Sequence, residues 1–125
     1  MTFTADDRQL NAAEFLELAN RVWPGEYDAE KTAGALGRTI NITARDGQKL
    51  AGCLRILTDG YFFGTITELL VLSEYRHRGI GSELLRLARE RTPTILYFGA
   101  LPGLEAFYEK NGCKRSLQSY EIGGD

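Results

Sequence analysis

Residues 72–82 read Leu-Ser-Glu-Tyr-Arg-His-Arg-Gly-Ile-Gly-Ser, and this stretch decides the fold. The apolar run Leu69–Leu72 is typical of a buried strand end, whereas apolar residues recur at helical spacing over Ile80–Ala88. Gly79 and Gly81 therefore lie in a turn that opens a helix. Backbone N–H groups at a helix start have no intrahelical partner, so the sequence predicts an anion site, with a phosphate as the natural ligand.

Known phosphate-binding patterns narrow the kind of ligand. The stretch is not G-x-x-x-x-G-K-[ST], and the third glycine of G-x-G-x-x-G would fall at Leu84. Arg76-x-x-Gly79-x-Gly81 resembles the R/Q-x-x-G-x-G/A signature of the GNAT superfamily of N-acetyltransferases, whose turn cradles the pyrophosphate of coenzyme A. Arg76 and Arg78 add positive charge to this turn.

A second segment carries the same resemblance. Ala106–Gly112, Ala-Phe-Tyr-Glu-Lys-Asn-Gly, is similar to the A-x-x-F-Y-E-K-x-G-F segment of that family. In the family the tyrosine hydroxyl faces the coenzyme A sulfur, which implies the same role for Tyr108. Where many members have an asparagine that contacts the cofactor, this chain has Gly99–Pro102. The resemblance consists of these two segments and of the order strand, helix, strand, helix around them, and it covers roughly the last two-thirds of the chain.

The resemblance implies a mixed α/β fold of three layers, helix, sheet and helix, whose mainly antiparallel sheet is splayed at its fourth strand and flanked by about four helices. It also implies transfer of an acetyl group from acetyl-CoA to a primary amine by direct attack in a ternary complex. The residues that it assigns to the cofactor are Leu70, Val71, Leu72, Arg76, His77, Arg78, Gly79, Ile80, Gly81 and Ser82.

Glu68 is the candidate acceptor of the amine proton, through water, because family members often carry an acid near this position. The ordinary alternative is a strand carboxylate that faces solvent or pairs with an arginine. Alternation places Ile66, Glu68 and Leu70 on one face, yet it fails near Leu69, which predicts either a bulge or a doubly buried strand end. An N–H group at a bulge at Leu70 or Val71 is expected to stabilise the oxyanion.

Periodicity, caps and turn residues predict the remaining elements. A second subunit is expected to complete the exposed edge of the sheet, which predicts a homodimer. The predicted elements are a helix from the Asn11 cap to Trp23, a helix from Asp28 to Leu36, strands from Thr39, over Leu50–Leu57 and over Tyr61–Leu72, a helix over 80–91, a strand over 94–99, a helix over 101–112, and one strand or a short hairpin over 113–122.

Composition bounds the alternatives. A length of 125 residues and 43% hydrophobic residues predict one domain, 1–125, and a net charge of -2 without basic clusters argues against nucleic-acid binding. The sequence has neither a membrane-spanning run nor a secretory signal, so we expect a cytoplasmic protein. Cys53 and Cys113 lack ligand spacing, so we expect reduced thiols and no metal.

The amine acceptor is left open by the sequence, because small amines, antibiotics, polyamines and protein termini all fit such a cradle. Five aromatic residues either line an acceptor groove or belong to the hydrophobic core: Trp23, Tyr27, Tyr61, Phe62 and Phe63. Two other classes of function stay possible: a regulatory module that binds acyl-CoA without turnover, and a domain that keeps the fold only for protein interaction.

Overall fold

The fold is a curled five-stranded sheet with helices on both faces, seen in a computed structural model that describes residues 1–124. A 3-10 turn over Ser73–Tyr75 joins the fourth strand to the third helix. In chain order the elements are β1 Thr2–Thr4, α1 Ala12–Val22, α2 Ala29–Leu36, β2 Ile40–Asp46, β3 Lys49–Thr58, β4 Gly64–Val71, α3 Ile80–Arg91, β5 Leu96–Tyr97 and α4 Glu105–Lys110.

The strands follow one another in the order β1-β2-β3-β4-β5, and each pair except the last is antiparallel. Strand β5 runs parallel to β4, and they pair only at Gly64 with Leu96 and at Thr65 with Tyr97. A Cβ atom on Gly64 would come within 2.7 Å of Thr94 Oγ1, so glycine is needed where the strands meet. The predicted mixed α/β fold with a splay at the fourth strand is confirmed.

Two contacts show which helices cover which face of the sheet. The Arg55 guanidinium of β3 lies 5.2 Å from the ring centroid of Phe15 in α1. A Cβ atom on Gly52, also in β3, would instead lie 3.3 Å from the side chains of Ile80 and Leu84 in α3. Because Gly52 and Arg55 have opposite parity, α1 and α3 pack on opposite faces, which gives the expected three layers.

Strand β4 contains a bulge, but not where the sequence predicts it. Arg55 pairs with Glu68 and the next residue of β3, Ile56, pairs with Ile66, so Thr67 is the extra residue. The ladder runs without interruption past Leu70, so the expectation of a bulge at Leu70 or Val71 is wrong. The extra residue also separates Ile66 from Glu68, which therefore lie on opposite faces and not on the same face as expected.

Three further expectations differ from the structure. The predicted strand over 61–72 begins only at Gly64, because Asp59 Oδ1 accepts the amides of residues 61–63 and folds them into a turn. The predicted helix over 101–112 shortens to Glu105–Lys110, since Gly103 adopts a φ of 92°. No strand forms over 113–122, where the apolar side chains are exposed, whereas Thr2–Thr4 forms an unforeseen edge strand.

The first helix is anchored by its cap and by an ion-pair network. Asn11 and Glu14 form the predicted capping box. Arg45 of β2 donates to both oxygens of Glu14 at 2.8 and 2.9 Å and to the buried carboxylate of Asp7 at 3.2 Å. Thr43 donates to the same Asp7 carboxylate. The network therefore ties the start of α1 to β2.

These contacts shift the titration of both acids in the same direction. Burial raises the pKa of Asp7, but hydrogen bonds, of which that from Thr43 is strongest, outweigh it and hold the pKa below its ordinary value. The hydrogen bonds from Arg45 lower the pKa of Glu14 in spite of burial. A carboxyl group with a depressed pKa stabilises the fold above its unfolded pKa, and this contribution is lost as the pH falls through the folded value.

We expect Arg45→Met to lower the free energy of unfolding by about 3 kcal/mol at pH 7, because it leaves two carboxylates without their cation. The loss should shrink below a pH of about 4, where both acids become neutral in the unfolded chain. Urea unfolding at pH 7 and at acidic pH measures both effects. Arg86→Met, which breaks exposed pairs on α3, is the matched control and should change little. An equal effect of the two variants would contradict the network's role.

Candidate functional site

The turn that precedes α3 presents a run of unpaired backbone amides. Within residues 1–124, the amide of Arg76 bonds to Ser73 and that of Glu83 bonds to Gly79, but the amides of the six residues between them have no protein acceptor. No side chain caps the helix start at Gly79. This stretch, His77–Ser82, is called the cradle below. Its N–H groups and the helix dipole together favour an anion.

The backbone of the cradle has an unusual shape. His77 has a φ of 64° and Gly79 a φ of 80°, and His77 is the one non-glycine residue with positive φ among the described residues. Alternation of left-handed and ordinary conformations curls successive amides into a concave nest that binds anions. A Cβ atom on Gly79 would meet open space, so glycine here serves the backbone conformation and leaves access for a ligand.

The two arginines of the signature lie on either side of the turn. Arg76 Nε donates to the carbonyl of Val71, 3.4 Å away, so its side chain reaches back to the end of β4. The Arg78 guanidinium lies 5.1 Å from the centre of the Tyr75 ring. Neither arginine pairs with an acid among residues 1–124, so their charge is available to an anion in the cradle.

Gly81 couples the cradle to the tyrosine segment. A Cβ atom at this position would lie 3.0 Å from the tip of the Phe107 ring, so the ring packs directly on the helix start. Phe107 and Tyr108 pack edge to face with centroids 5.2 Å apart, and Tyr108 also packs on Phe98, at 5.0 Å. Because Phe98 follows β5 directly, these contacts hold Tyr108 over the end of β5 and beside the cradle.

The hydroxyl of Tyr108 is held as a neutral phenol. Burial, with a smaller contribution from the Cys113 thiol, raises the pKa of Tyr108 above 10. No side chain or carbonyl among residues 1–124 accepts its proton. The group is therefore a hydrogen-bond donor over the whole neutral range.

Strand β4 leaves part of its edge unpaired beyond the two-residue contact with β5. The amide of Leu72 donates to the carbonyl of Ala51, 2.9 Å away, and regular pairing of Leu70 with Cys53 turns its amide toward β3 as well. Alternation then directs the amide of Val71 to the open edge. Of the three strand positions expected at the cofactor, Val71 is thus the one whose N–H is free, whereas the amides of Leu70 and Leu72 belong to the ladder.

A groove of about 340 Å³ opens on the opposite face of the sheet, between α1, α2 and the central strands. Of the five aromatic candidates, Trp23 and Tyr27 line it, whereas Tyr61, Phe62 and Phe63 form an exposed turn outside it. The other lining residues are Phe15, Leu16, Ala19, Lys31, Thr32, Ala35, Arg55, Thr67, Glu68 and Leu70.

Glu68 lies in this groove and is paired, which is the alternative that the sequence left open. Arg55 donates to Oε2 at 2.6 Å through Nε and to Oε1 at 2.8 Å through a terminal nitrogen. The Thr67 hydroxyl also donates to Oε2. An ionised carboxylate has about four acceptor positions, so Oε1 keeps one position for a further donor. Glu68 thus lies on β4, whereas Tyr108 lies on α4.

Sequence reasoning missed three groove residues. Arg55 lies opposite Glu68 in the ladder. This pairing depends on the position of the bulge in β4, and the alternation of apolar and polar residues does not locate that bulge. Thr67 lines the groove only because it is the extra residue of that bulge. Lys31 lies on α2, and only the packing of that helix brings it to the sheet.

None of the helices in residues 1–124 combines the length and the apolar character needed to cross a membrane. In the same range no three side chains of His, Cys, Asp or Glu are grouped to hold a metal ion. Cys53 and Cys113 are free thiols, as expected.

Comparisons with known proteins agree with this geometry. The family model for the acetyltransferase (GNAT) domain matches residues 38–114, which contain every predicted site residue. A protein of unknown function from Staphylococcus aureus shares the fold with a TM-score of 0.80 at 18% identity, and the match covers 98% of both chains. A GNAT-family acetyltransferase from Streptococcus pneumoniae gives a TM-score of 0.77 at 22% identity over 99% and 98% of the two chains.

A third solved structure carries a ligand. An aminoglycoside 6'-N-acetyltransferase complexed with coenzyme A gives a TM-score of 0.60 at 22% identity and covers 79% of this chain and 61% of its own. A search of curated proteins by sequence returns no match. At these identities the solved structures establish the likeness of the fold.

We expect Gly81→Ala to strain the contact with Phe107, because the added methyl would lie 3.0 Å from the ring. A double-mutant cycle with Phe107→Leu isolates the loss of stability caused by this contact, because the effect of alanine on helix propensity cancels. We expect a coupling energy of about 1 kcal/mol. Urea unfolding of the four proteins measures it. Gly99→Ala, at a position with open space, is the control. Additive effects of the two substitutions would show that the ring does not depend on this glycine.

Proposed function

Because this chain belongs to the GNAT acetyltransferase family, we propose that it is an N-acetyltransferase that moves an acetyl group from acetyl-CoA to a primary amine. The observation that carries this proposal is the run of six unpaired amides in His77–Ser82, directly after the open edge of β4. A diphosphate is the ligand whose charge and oxygens match that run. The coenzyme A in one solved relative supports the same choice of ligand.

The described residues of the cradle suit the diphosphate of coenzyme A. Open space above Gly79 admits the phosphates to the amides, and Arg76 and Arg78 supply two cations that form no ion pair with an acid of residues 1–124. The splay between β4 and β5 leaves an open edge beside Val71 along which the pantetheine arm can lie. When bound, acetyl-CoA supplies an acetyl group activated as a thioester.

The acceptor amine must lose a proton before it attacks. A primary amine with a pKa near 10.4 is neutral in roughly one molecule in 2,500 at pH 7, which corresponds to a deficit of about 4.6 kcal/mol. We assign the first proton acceptor to water held at the remaining acceptor position of Glu68 Oε1. The pair with Arg55 fixes the orientation of this carboxylate. For a protein α-amine, with a pKa near 7.7 to 8.0, the deficit falls to about 1 to 1.4 kcal/mol.

Two groups of this chain stabilise the charges that develop in the reaction. The free amide of Val71 takes the place of the expected bulge donor and can hydrogen-bond the carbonyl oxygen as it becomes negative. Tyr108, whose pKa lies above 10, can donate to the departing sulfur. Full transfer to a thiolate is uphill by at least about 2 kcal/mol at the ordinary pKa values, so donation without complete transfer is its role.

The experiment that tests this function measures cofactor binding and turnover together. Calorimetry with acetyl-CoA should give a 1:1 complex, and release of free thiol in the presence of an amine panel should report transfer. Binding without turnover of any amine would favour the second candidate, a regulatory module that binds acyl-CoA. Absence of binding would overturn both.

We expect Gly79→Val to weaken acetyl-CoA binding by more than about tenfold, or 1.4 kcal/mol, since a β-branched residue is strained at a φ of 80° and would tilt the amides. Calorimetry measures the affinity. His77→Gly keeps the positive φ without strain and should bind as the wild type does. If the two variants bind equally well, the cradle does not hold the cofactor.

We expect Tyr108→Phe to lower kcat by about a hundredfold, the lower range for a lost proton donor, while the affinity for acetyl-CoA stays the same. Because the pKa of Tyr108 is raised, kcat of the wild type should show no loss from tyrosine ionisation below a pH of about 10. Steady-state kinetics across pH and calorimetry check both points. Tyr120→Phe, at a side chain 90% exposed, is the matched control. An unchanged kcat in the Tyr108 variant would refute its role.

A further inference from the structure

The groove between α1, α2 and the sheet carries an excess of positive charge. Three charged side chains line it among the described residues: Lys31, Arg55 and Glu68. Glu68 is neutralised by its two hydrogen bonds with Arg55, so the charge of Lys31 is left over. A groove built for amines alone would be expected to carry excess negative charge, because amines are cations at neutral pH.

The Arg55–Glu68 pair keeps a free donor beside its free acceptor. Arg55 uses Nε and Nη2 for Glu68, and its two Nη1 hydrogens have no acceptor among residues 1–124. Within that range, every side-chain nitrogen or oxygen that is fully buried has a hydrogen-bond partner. Nη1 has none, so it is not fully buried, and Arg55 lines the groove. The ion pair therefore offers two neighbouring groups to a ligand. Arg55 Nη1–H can donate to an anion, and Glu68 Oε1 can accept from an ammonium through the water held there.

Lys31 supplies the second cation of the groove. Its ammonium forms no ion pair with an acid of residues 1–124, and the side chain is exposed on α2. The helix cap by Asp28 uses only the backbone amide of Lys31, so the charged end is not committed to the helix. It is free to meet a ligand that enters between α2 and the sheet.

The rest of the lining is apolar or aromatic. Trp23 and Tyr27 are 53% and 44% exposed at the mouth of the groove, while Phe15 and Leu70 are buried at its base. The Tyr27 hydroxyl donates to the Trp23 carbonyl, 2.6 Å away, which fixes the two aromatic residues relative to each other. A volume of about 340 Å³ is at the lower end for small-molecule sites.

These features point to one acceptor class, and the inference rests on the proposed acetyltransferase function. We infer that the acceptor is a small monoamine that also carries an anionic group and an apolar body, as in an α-amino acid with an apolar side chain. Its ammonium contacts the water held at Glu68 Oε1, its anionic group lies at Arg55 Nη1 and Lys31, and its apolar body lies against Trp23 and Tyr27. Polyamines are disfavoured, because their second ammonium would meet an excess of positive charge.

The test compares probes that differ only in the anionic group. With saturating acetyl-CoA, L-phenylalanine should give a kcat/KM, corrected for the fraction of neutral amine, at least about tenfold above that of phenethylamine, while cadaverine and spermidine should be poor acceptors. A favourable ion pair of about 1.4 kcal/mol corresponds to this factor. The ratio should fall in 0.5 M salt because the Debye length shortens.

A binding experiment tests the same preference without requiring turnover. Calorimetry of the chain with coenzyme A present should show that N-acetylphenylalanine binds at least about tenfold more tightly than N-phenethylacetamide, which lacks the carboxylate. Equal affinities would overturn the inference even if amines are acetylated. Failure of acetyl-CoA itself to bind would instead overturn the proposed function, so the two failures are distinguishable.

Variants of Lys31 test the second cation of the groove. Lys31→Met should remove most of the preference for the carboxylate-bearing probe, and Lys31→Glu should raise the activity toward cadaverine. Lys114→Met, an exposed lysine outside the groove, is the matched control. The inference is wrong if the preference is the same in Lys31→Met as in Lys114→Met.

Discussion

The extra residue at Thr67 is the constraint on which the arrangement of the site depends. By adding one residue to β4 it reverses the face of every side chain beyond Ile66, and Glu68 consequently pairs with Arg55 on the side of α1 and α2. Without it, Glu68 would point into the layer beneath α3 and away from Arg55. The bulge therefore places Glu68 in the groove on one face, while the helix that follows the cradle packs on the other.

Strand β4 connects these two sides through its open edge. Pairing with β5 ends after Thr65, and the close approach at Gly64 fixes the point from which the strands diverge. The end of β4 then leads through a single 3-10 turn into the cradle, and Arg76 reaches back to the carbonyl of Val71. One continuous segment thus carries the open-edge amide of Val71, the Arg76 cation and the amides of the cradle, in the order in which the proposed function uses them.

Several elements were predictable because their signals are local. The cap at Asn11 and the helix over 80–91 depend on residues a few positions apart, and each is confirmed. The length of a strand was less predictable, since hydrogen bonds from a side chain such as Asp59 compete with the ladder. The strand expected over 113–122 does not form, because a segment long enough for a strand still needs a neighbouring strand to pair with.

The sequence by itself determined the turn with its two glycines, the family resemblance and the tyrosine segment, because these depend on backbone conformations and contacts encoded within short stretches. Only the tertiary structure decided that Glu68 pairs with Arg55, that Phe107 rests on Gly81, and that Lys31 joins the groove. Those contacts join residues far apart in the chain, and a single inserted residue in one strand changes which of them can form. Register and helix packing are properties of the whole chain, which is why no local pattern contains them.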